Sequence, residues 1–321
     1  MIIILSGADD LTSDRVASEL VRRSVRFARL DLSDFPQCVV ASAYLDGSGR
    51  WAGQIRHADG WTVAWEDITA VYYRRPGNFR PPPGLTRADR RFVVAEARGG
   101  FGGVLASLDT RWVNHPFQVA DSEFKPVQLA VAQDCGLAVP ATVITNDGRS
   151  ARSFASVQPQ GVVYKALGGG FYRDNDDNLT LIYTTPVSTE SLDDAEIAAT
   201  SHTFQSLIDK AYDVRVTVVG PRAFGVAIHS TSAAGRIDWR SDYNSLRYIE
   251  IPVPDAVADS ISRYLCRLGL LYGAFDFSID YDGRWWFLEC NPNGQWGFIE
   301  QATGMPISCA IADLLTGEAT L

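Results

Sequence analysis

Near its end the chain reads Trp285-Trp286-Phe287-Leu288-Glu289-Cys290-Asn291-Pro292-Asn293-Gly294-Gln295-Trp296. A run of large apolar residues like this is a strand entering a core. Its side-chain period of two puts Glu289 and Asn291 on one side and Cys290 on the other. A carboxylate and an amide at the end of a buried strand are costly unless something cationic meets them. The segment before it, Gly273-Ala274-Phe275-Asp276-Phe277-Ser278-Ile279-Asp280, is also apolar and carries Asp276. Asp282-Gly283 lies between the two, and Asp-Gly is a strong hairpin signal. Folding back there brings Asp276, Glu289 and Asn291 together as an oxygen cluster. A few hard oxygen ligands suit Mg²⁺, which keeps its other positions for water and phosphate.

The 321 residues are enough for two domains or three small lobes, and 46% hydrophobic with 21% charged residues is an ordinary globular balance. A net charge of -9 argues against a nucleic-acid partner and suits a cationic one. The five cysteines, Cys38, Cys135, Cys266, Cys290 and Cys309, are widely spaced without a CxxC pair, so they read as reduced thiols rather than a disulfide or zinc framework. The apolar start, Met1 to Leu5, lacks the basic flank and cleavage site of a signal peptide. No apolar run approaches the ~20 residues that span a bilayer. The expectation is a cytoplasmic protein without a membrane partner.

Residues 2–5, 11–24 and 28–32 read as strand, helix and strand, a βαβ unit with a parallel sheet. Its first turn lacks a GxGxxG fingerprint, which excludes the usual dinucleotide reading. Strands at 39–45, 54–58 and 70–76 follow, then a long helix over 87–108, a helix over 121–136 and strands at 137–144 and 162–167. The last third predicts strands at 213–219, 223–230, 274–281 and 284–289, a hairpin ending near Trp239, and a helix over 254–268.

Two lysines sit where lysine is unexpected. Lys165 lies in the apolar strand Val162-Val163-Tyr164-Lys165-Ala166-Leu167, where an ammonium needs a fixed anion, and Lys125 opens a helix. Gly168-Gly169-Gly170 follows Lys165, a flexible loop whose bare N–H groups suit phosphate oxygens. Asp213 and Arg215 share one face of a strand, a spacing that also fits an ion pair between them.

The order Lys125, Lys165 with its glycine loop, Asp213-x-Arg215, and Asp276 with Glu289-x-Asn291 resembles the ATP-grasp superfamily. The resemblance implies an α/β ATP-grasp fold in three lobes. An N-terminal βαβ pre-ATP-grasp lobe would span 1–115, and two α+β lobes, 116–201 and 202–321, would clamp ATP. It implies that Lys125, Lys165 and Gly168, Gly169 and Gly170 hold phosphates. The hinge 203–208, with Gln205, Ser206, Leu207 and Ile208, would read adenine, followed by Lys210, and Asp213 would take the ribose hydroxyls. Asp276, Glu289 and Asn291 would bind two Mg²⁺ ions. Many ligases of this kind carry Arg two residues before the first metal Asp; here that residue is Ala274, so Arg215 or Arg240 must meet the acyl-phosphate.

Tyr73-Arg74-Arg75-Pro76, Asp238-Trp239-Arg240 and Glu289-Cys290-Asn291-Pro292-Asn293-Gly294-Gln295-Trp296 are similar to the graspetide macrocyclases, the microviridin-type ATP-grasp peptide maturases. That resemblance implies activation of Asp or Glu side chains of a ribosomal precursor peptide with a leader segment. A Ser/Thr hydroxyl or Lys amine of the same peptide would then close an ω-ester or ω-amide. Arg74, Arg75, Trp239 and the acidic loop residues Asp174 and Asp176 are the expected peptide contacts, and a homodimer is carried over as an expectation. The rival readings are a ligase adding a free amino acid to a carboxylate, and a regulator that binds ATP without turnover.

Overall fold

The computed structural model describes residues 1–45, 47, 49–168, 170–174 and 178–318. The chain opens with strand Ile2–Ser6, helix Leu11–Arg22 and strand Phe27–Leu30. Asp10 caps the helix by accepting from the N–H groups of Thr12 and Ser13. The first sheet is fully parallel, in the order Phe27–Leu30, Ile2–Ser6, Ala70–Arg75, Arg111–Val113. A small antiparallel sheet, Val39–Leu45, Trp51–His57 and Thr62–Ala64, packs beside it. The expected long helix over 87–108 is helix Arg87–Ala97, a wider π-type turn at Arg98–Gly102 and a short helix Gly103–Ala106. The glycines noted in that stretch fall in and beside the wide turn.

The predicted helix over 121–136 is two helices, Pro116–Ser122 and Lys125–Asp134. Pro126 explains the break: a proline is tolerated only in the first turn, so a new helix begins at Lys125. The strand expected over 137–144 shortens to Thr142–Thr145. Together with Val162–Lys165, Thr185–Val187 and His202–Ser206 it forms the central antiparallel sheet, with helix Gly148–Ser156 closing a small core on it. His202–Ser206 pairs with strands on both its sides, so the central sheet extends past residue 201.

The last sheet orders Leu246–Ile251, Arg222–Ser230, Lys210–Val219, Tyr272–Asp280 and Trp285–Asn291, all antiparallel. Strand Leu246–Ile251, absent from the sequence expectations, replaces the hairpin predicted to end near Trp239; short helical turns fill 233–245. One face of this sheet packs on helices Lys125–Asp134 and Asp255–Leu268. Its other face shares a core with helix Ile307–Thr316 and with Ile2, Ile4, Val16 and Leu20 of the first lobe. Burial on both faces is why Tyr272–Asp280 reads as a nearly unbroken apolar run. All five cysteines are free, and among the described residues no helix is long and apolar enough to cross a membrane.

Phe287 is fully buried against Phe275, Phe277 and Tyr264 at ring separations of 5.7–6.2 Å. Phe287→Ala removes that packing and leaves a cavity, so urea unfolding should register a loss of about 3–5 kcal/mol. A loss below about 1 kcal/mol contradicts this account of the core.

Candidate active site

The hairpin expected at Asp282-Gly283 forms, and its register sets Asp276 directly opposite Glu289, with Asn291 opposite Ala274 one step along the same side. On the other flank Arg215 stands directly opposite Asp276. Three strands thus present a row of charged side chains on one sheet face. Arg215 binds Asp276 through both ends of its guanidinium, Nε to Oδ1 at 2.7 Å and Nη2 to Oδ2 at 3.1 Å. Lys125, from its helix, donates to Glu289 Oε2. The row therefore runs positive, negative, negative, positive.

The environment separates the two carboxylates. Burial, with the Glu289 charge beside it, raises Asp276 against the pull of Arg215. Burial also pushes Glu289 up, but the Lys125 ammonium outweighs it and holds Glu289 at about 2. Burial lowers Lys165 to about 8, opposed by Glu289 and reinforced by the charges of Lys125 and Lys210.

This row faces a cleft of about 740 Å³ between the central and last sheets. Lys125, Lys165, Gly168, Gly170, Gln205, Ser206, Leu207, Ile208, Lys210 and Asp213 all line it, and so do Asp276, Glu289 and Asn291. Trp239 and Arg240 line it too. Gly169 and Asp176 lie outside the described residues. In the hinge, Gln205 Nε2 donates to Thr142 Oγ1 at 2.9 Å, and the N–H groups of Ser206 and Leu207 donate to the carbonyls of Ala141 and Gly161. Asp213 is held by Lys210 Nζ at 2.6 and 2.8 Å and by Ser278 Oγ at 2.8 Å.

Several sequence expectations change. Arg215 does not pair with Asp213: the two side chains are claimed by Asp276 and Lys210 respectively. Arg215 is 6% exposed, with its guanidinium 5.4 Å from the Trp239 ring centre, so it underlies the cleft and leaves Arg240 as the arginine at its surface. Arg240 is gripped by Asp238 at 2.9 and 2.7 Å. Burial pushes Asp238 up, but Arg240 and the Thr184 N–H hold it at about 2. Asp238 stands in the Asp238-Trp239-Arg240 motif without an expected role of its own; the structure gives it one, holding Arg240.

Arg74 is not a surface contact for a peptide. It is 2% exposed, lies 3.4 Å from Asp10 Oδ2, and donates Nη1 to the carbonyl of Asn293. Arg75 is exposed and opens onto a second depression of about 840 Å³ at the carboxyl ends of the first sheet. Asp174 accepts from Asn178 N and Nδ2, both at 2.9 Å. These two residues flank the paired strands Phe171–Arg173 and Leu179–Leu181, whose Phe171, Tyr172, Leu179 and Leu181 are each more than half exposed beside the cleft mouth. Cys290 is buried, and burial first, then Asp276 and Glu289, push its thiol up, as a packing role requires.

Among the described residues no group of three His, Cys, Asp or Glu side chains has metal-ligand spacing. The oxygen set here is two carboxylates and one amide, which fits a hard cation that draws its remaining ligands from water and phosphate. Lys125 beside Glu289, and Lys165 followed by the glycine loop on the central sheet, fit the phosphates themselves.

Residues 1–120 match the family model described as the MvdD pre-ATP-grasp domain. No curated protein sequence matches the chain. Solved structures match nearly end to end. The macrocyclase MdnC bound with precursor peptide MdnA, from Microcystis aeruginosa MRC, is 28% identical, with 98% of this chain and 99% of that one covered at a TM-score of 0.85. A Chryseobacterium gregarium RiPP-associated ATP-grasp ligase in complex with ADP and a leader and core peptide is 25% identical, with 99% and 97% covered at a TM-score of 0.90. The macrocyclase MdnB of Microcystis aeruginosa MRC is 29% identical, with 98% of each chain covered at 0.79. The chain therefore opens with a pre-ATP-grasp domain of the MvdD kind and has, over nearly its whole length, the ATP-grasp fold of ligases resembling the graspetide macrocyclases.

Proposed function

We propose that the protein is an ATP-dependent macrocyclase of a ribosomal precursor peptide, joining Asp or Glu side chains to Ser/Thr hydroxyls or a Lys amine of the same peptide as ω-esters or ω-amides. The observation that carries this reading is the single cleft in which two lysines, a glycine-rich loop, the hinge segment and an Asp-Glu-Asn oxygen set converge. The similar structures, a macrocyclase with its precursor peptide and a ligase with ADP, leader and core peptide, support the same chemistry.

ATP would supply the γ-phosphoryl group that converts a poorly electrophilic carboxylate into an acyl-phosphate, leaving ADP, and Mg²⁺ would neutralise the phosphate charge; attack of the hydroxyl or amine on the acyl carbon would then form the ester or amide, expelling phosphate and losing the nucleophile's proton. Asp276, Glu289 and Asn291 would hold the cations, two in number. Lys125 and Lys165 meet the phosphate charge, and Arg240, fixed by Asp238, faces the acyl-phosphate. Gly168 and Gly170 belong to the loop that excludes water from the activated carboxyl. The nucleophile needs mainly positioning, because a hydroxyl tethered on the same peptide has a high effective molarity.

The peptide needs its own surface. The hairpin Phe171–Arg173/Leu179–Leu181 offers one: Phe171 stands opposite Leu181, and Leu179 lies on the same face. Exposed apolar side chains clustered at a cleft mouth suit an apolar segment of a partner. The homodimer and the cytoplasmic location remain part of this proposal.

The direct test is the intact mass of a candidate precursor peptide incubated with the enzyme, ATP and Mg²⁺. The expected result is loss of one or more waters that requires ATP, and its absence in the Glu289→Gln variant. A mass gain equal to an added amino acid assigns the chain instead to ligases of free substrates. Leu179→Asp with Leu181→Asp should weaken precursor binding about tenfold or more, as loss of a buried anchor does, while ADP binding stays unchanged. Equal precursor affinity removes the hairpin from the peptide surface.

Lys165 makes the cleft pH-dependent. With its ammonium lowered to about 8, it is largely neutral above that pH until phosphate oxygens restore the charge. ADP binding with Mg²⁺ between about pH 8 and 9.5 should take up a proton, read by calorimetry in buffers of different ionisation heat. Lys165→Arg, charged throughout this range, should abolish the uptake. No uptake by the native chain contradicts the contact between Lys165 and phosphate.

A further inference from the structure

Strand Trp285–Asn291 is the outer strand of its sheet, so its outward N–H and C=O groups need partners from other elements. Phe287 finds one by donating its N–H to Ala138 O at 2.7 Å. At Cys290, between Glu289 and Asn291, one side chain serves both groups. Cys290 N donates to Gln128 Oε1 at 3.0 Å, and Gln128 Nε2 donates to Cys290 O at 2.7 Å. The amide of Gln128 thus stands in for a neighbouring strand. Its Nε2 also donates to Ser122 O at 2.7 Å, and the residue is 4% exposed.

Gln128 lies on helix Lys125–Asp134, about one turn beyond Lys125. The helix that carries the lysine is therefore bonded directly to the strand that carries Glu289. The chain beyond Asn291 is held in the same manner. Asn114 Nδ2 donates to Pro292 O at 2.9 Å, Arg74 Nη1 donates to Asn293 O, Tyr272 Oη donates to Gly294 O at 2.8 Å, and Arg215 Nη1 donates to Gln295 O at 3.1 Å. Of these clamps, Gln128 alone grips the residue between the two oxygen ligands.

We propose that Gln128 is a positioning residue for the cation site: through the main chain of Cys290 it aims Glu289 and Asn291 and sets their distance from Lys125. This rests on the nucleotide reading above. Side chains that orient ligands in this indirect way commonly govern metal affinity.

The test is ADP binding by calorimetry across a Mg²⁺ titration, in the native chain and in Gln128→Met, which keeps the side-chain length but has no amide. The Mg²⁺ concentration for half-maximal ADP binding should rise about 10–100-fold in the variant, while ADP affinity in EDTA is unchanged. A native-like Mg²⁺ dependence, or an equal loss of ADP affinity with and without Mg²⁺, overturns the role. Should Gln128→Met fail to fold, hydrogen exchange on the native chain decides. The Cys290 amide and helix Lys125–Asp134 must then gain protection together on adding ADP and Mg²⁺, and independent exchange overturns the proposal. A native chain that binds no ADP with Mg²⁺ overturns the nucleotide reading and this role with it.

Discussion

The buried, two-pronged pairing of Arg215 with Asp276 is the contact on which the cleft depends. Two carboxylates, Asp276 and Glu289, sit opposite each other on adjacent strands, and like charges in that relation repel. The sheet tolerates them because each is met from its outer side, Asp276 by Arg215 and Glu289 by Lys125. Removing Arg215 leaves the buried Asp276 charge uncompensated, at a cost of about 3–5 kcal/mol. The arrangement stabilises little against an apolar alternative of the same shape. What it provides is a fixed pair of anionic oxygens at a cleft wall.

The position of that wall is set by burial on both sides of the last sheet. One core packs the sheet against helices Lys125–Asp134 and Asp255–Leu268, so Lys125 arrives from the side of the outer strand. The other core joins the sheet to the first lobe through helix Ile307–Thr316. The loop 291–296 lies between these bodies, and its carbonyls are bound by side chains from three strands, Arg74, Arg215 and Tyr272, and by Asn114 just after strand Arg111–Val113. Irregular backbone is thus buried without orphaned carbonyls at those positions. Rigid support of this kind is what a phosphoryl-transfer site requires, because its catalysis is mainly positioning and charge stabilisation.

Much of the fold and of the oxygen set was legible in order of residues. Period-two alternation, the Asp-Gly turn and the Glu-x-Asn spacing are local, and local geometry places Asp276, Glu289 and Asn291 on one face before any packing is known. The βαβ start was equally readable from its apolar pattern and helix start. The errors fell where local signals compete. Pro126 split one expected helix into two, and segment 246–251, for which no strand was expected, pairs as a strand with Arg222–Ser230.

Residue types at set spacings were enough to gather the oxygen set and to carry the family resemblance, because side-chain period and turn preference act over a few residues. Partner choice was not, because it acts across long separations and is resolved by packing. Arg74 and Arg75 are neighbours in the chain, yet one is buried against Asn293 and the other faces solvent. Arg215 pairs with Asp276, 61 residues along the chain, rather than with Asp213 two positions away, because Asp276 stands directly opposite it across the sheet and Lys210 holds Asp213. Gln128 and Asn114 show no signal in the sequence: their partners stand 162 and 178 residues away, and only the folded chain makes them neighbours.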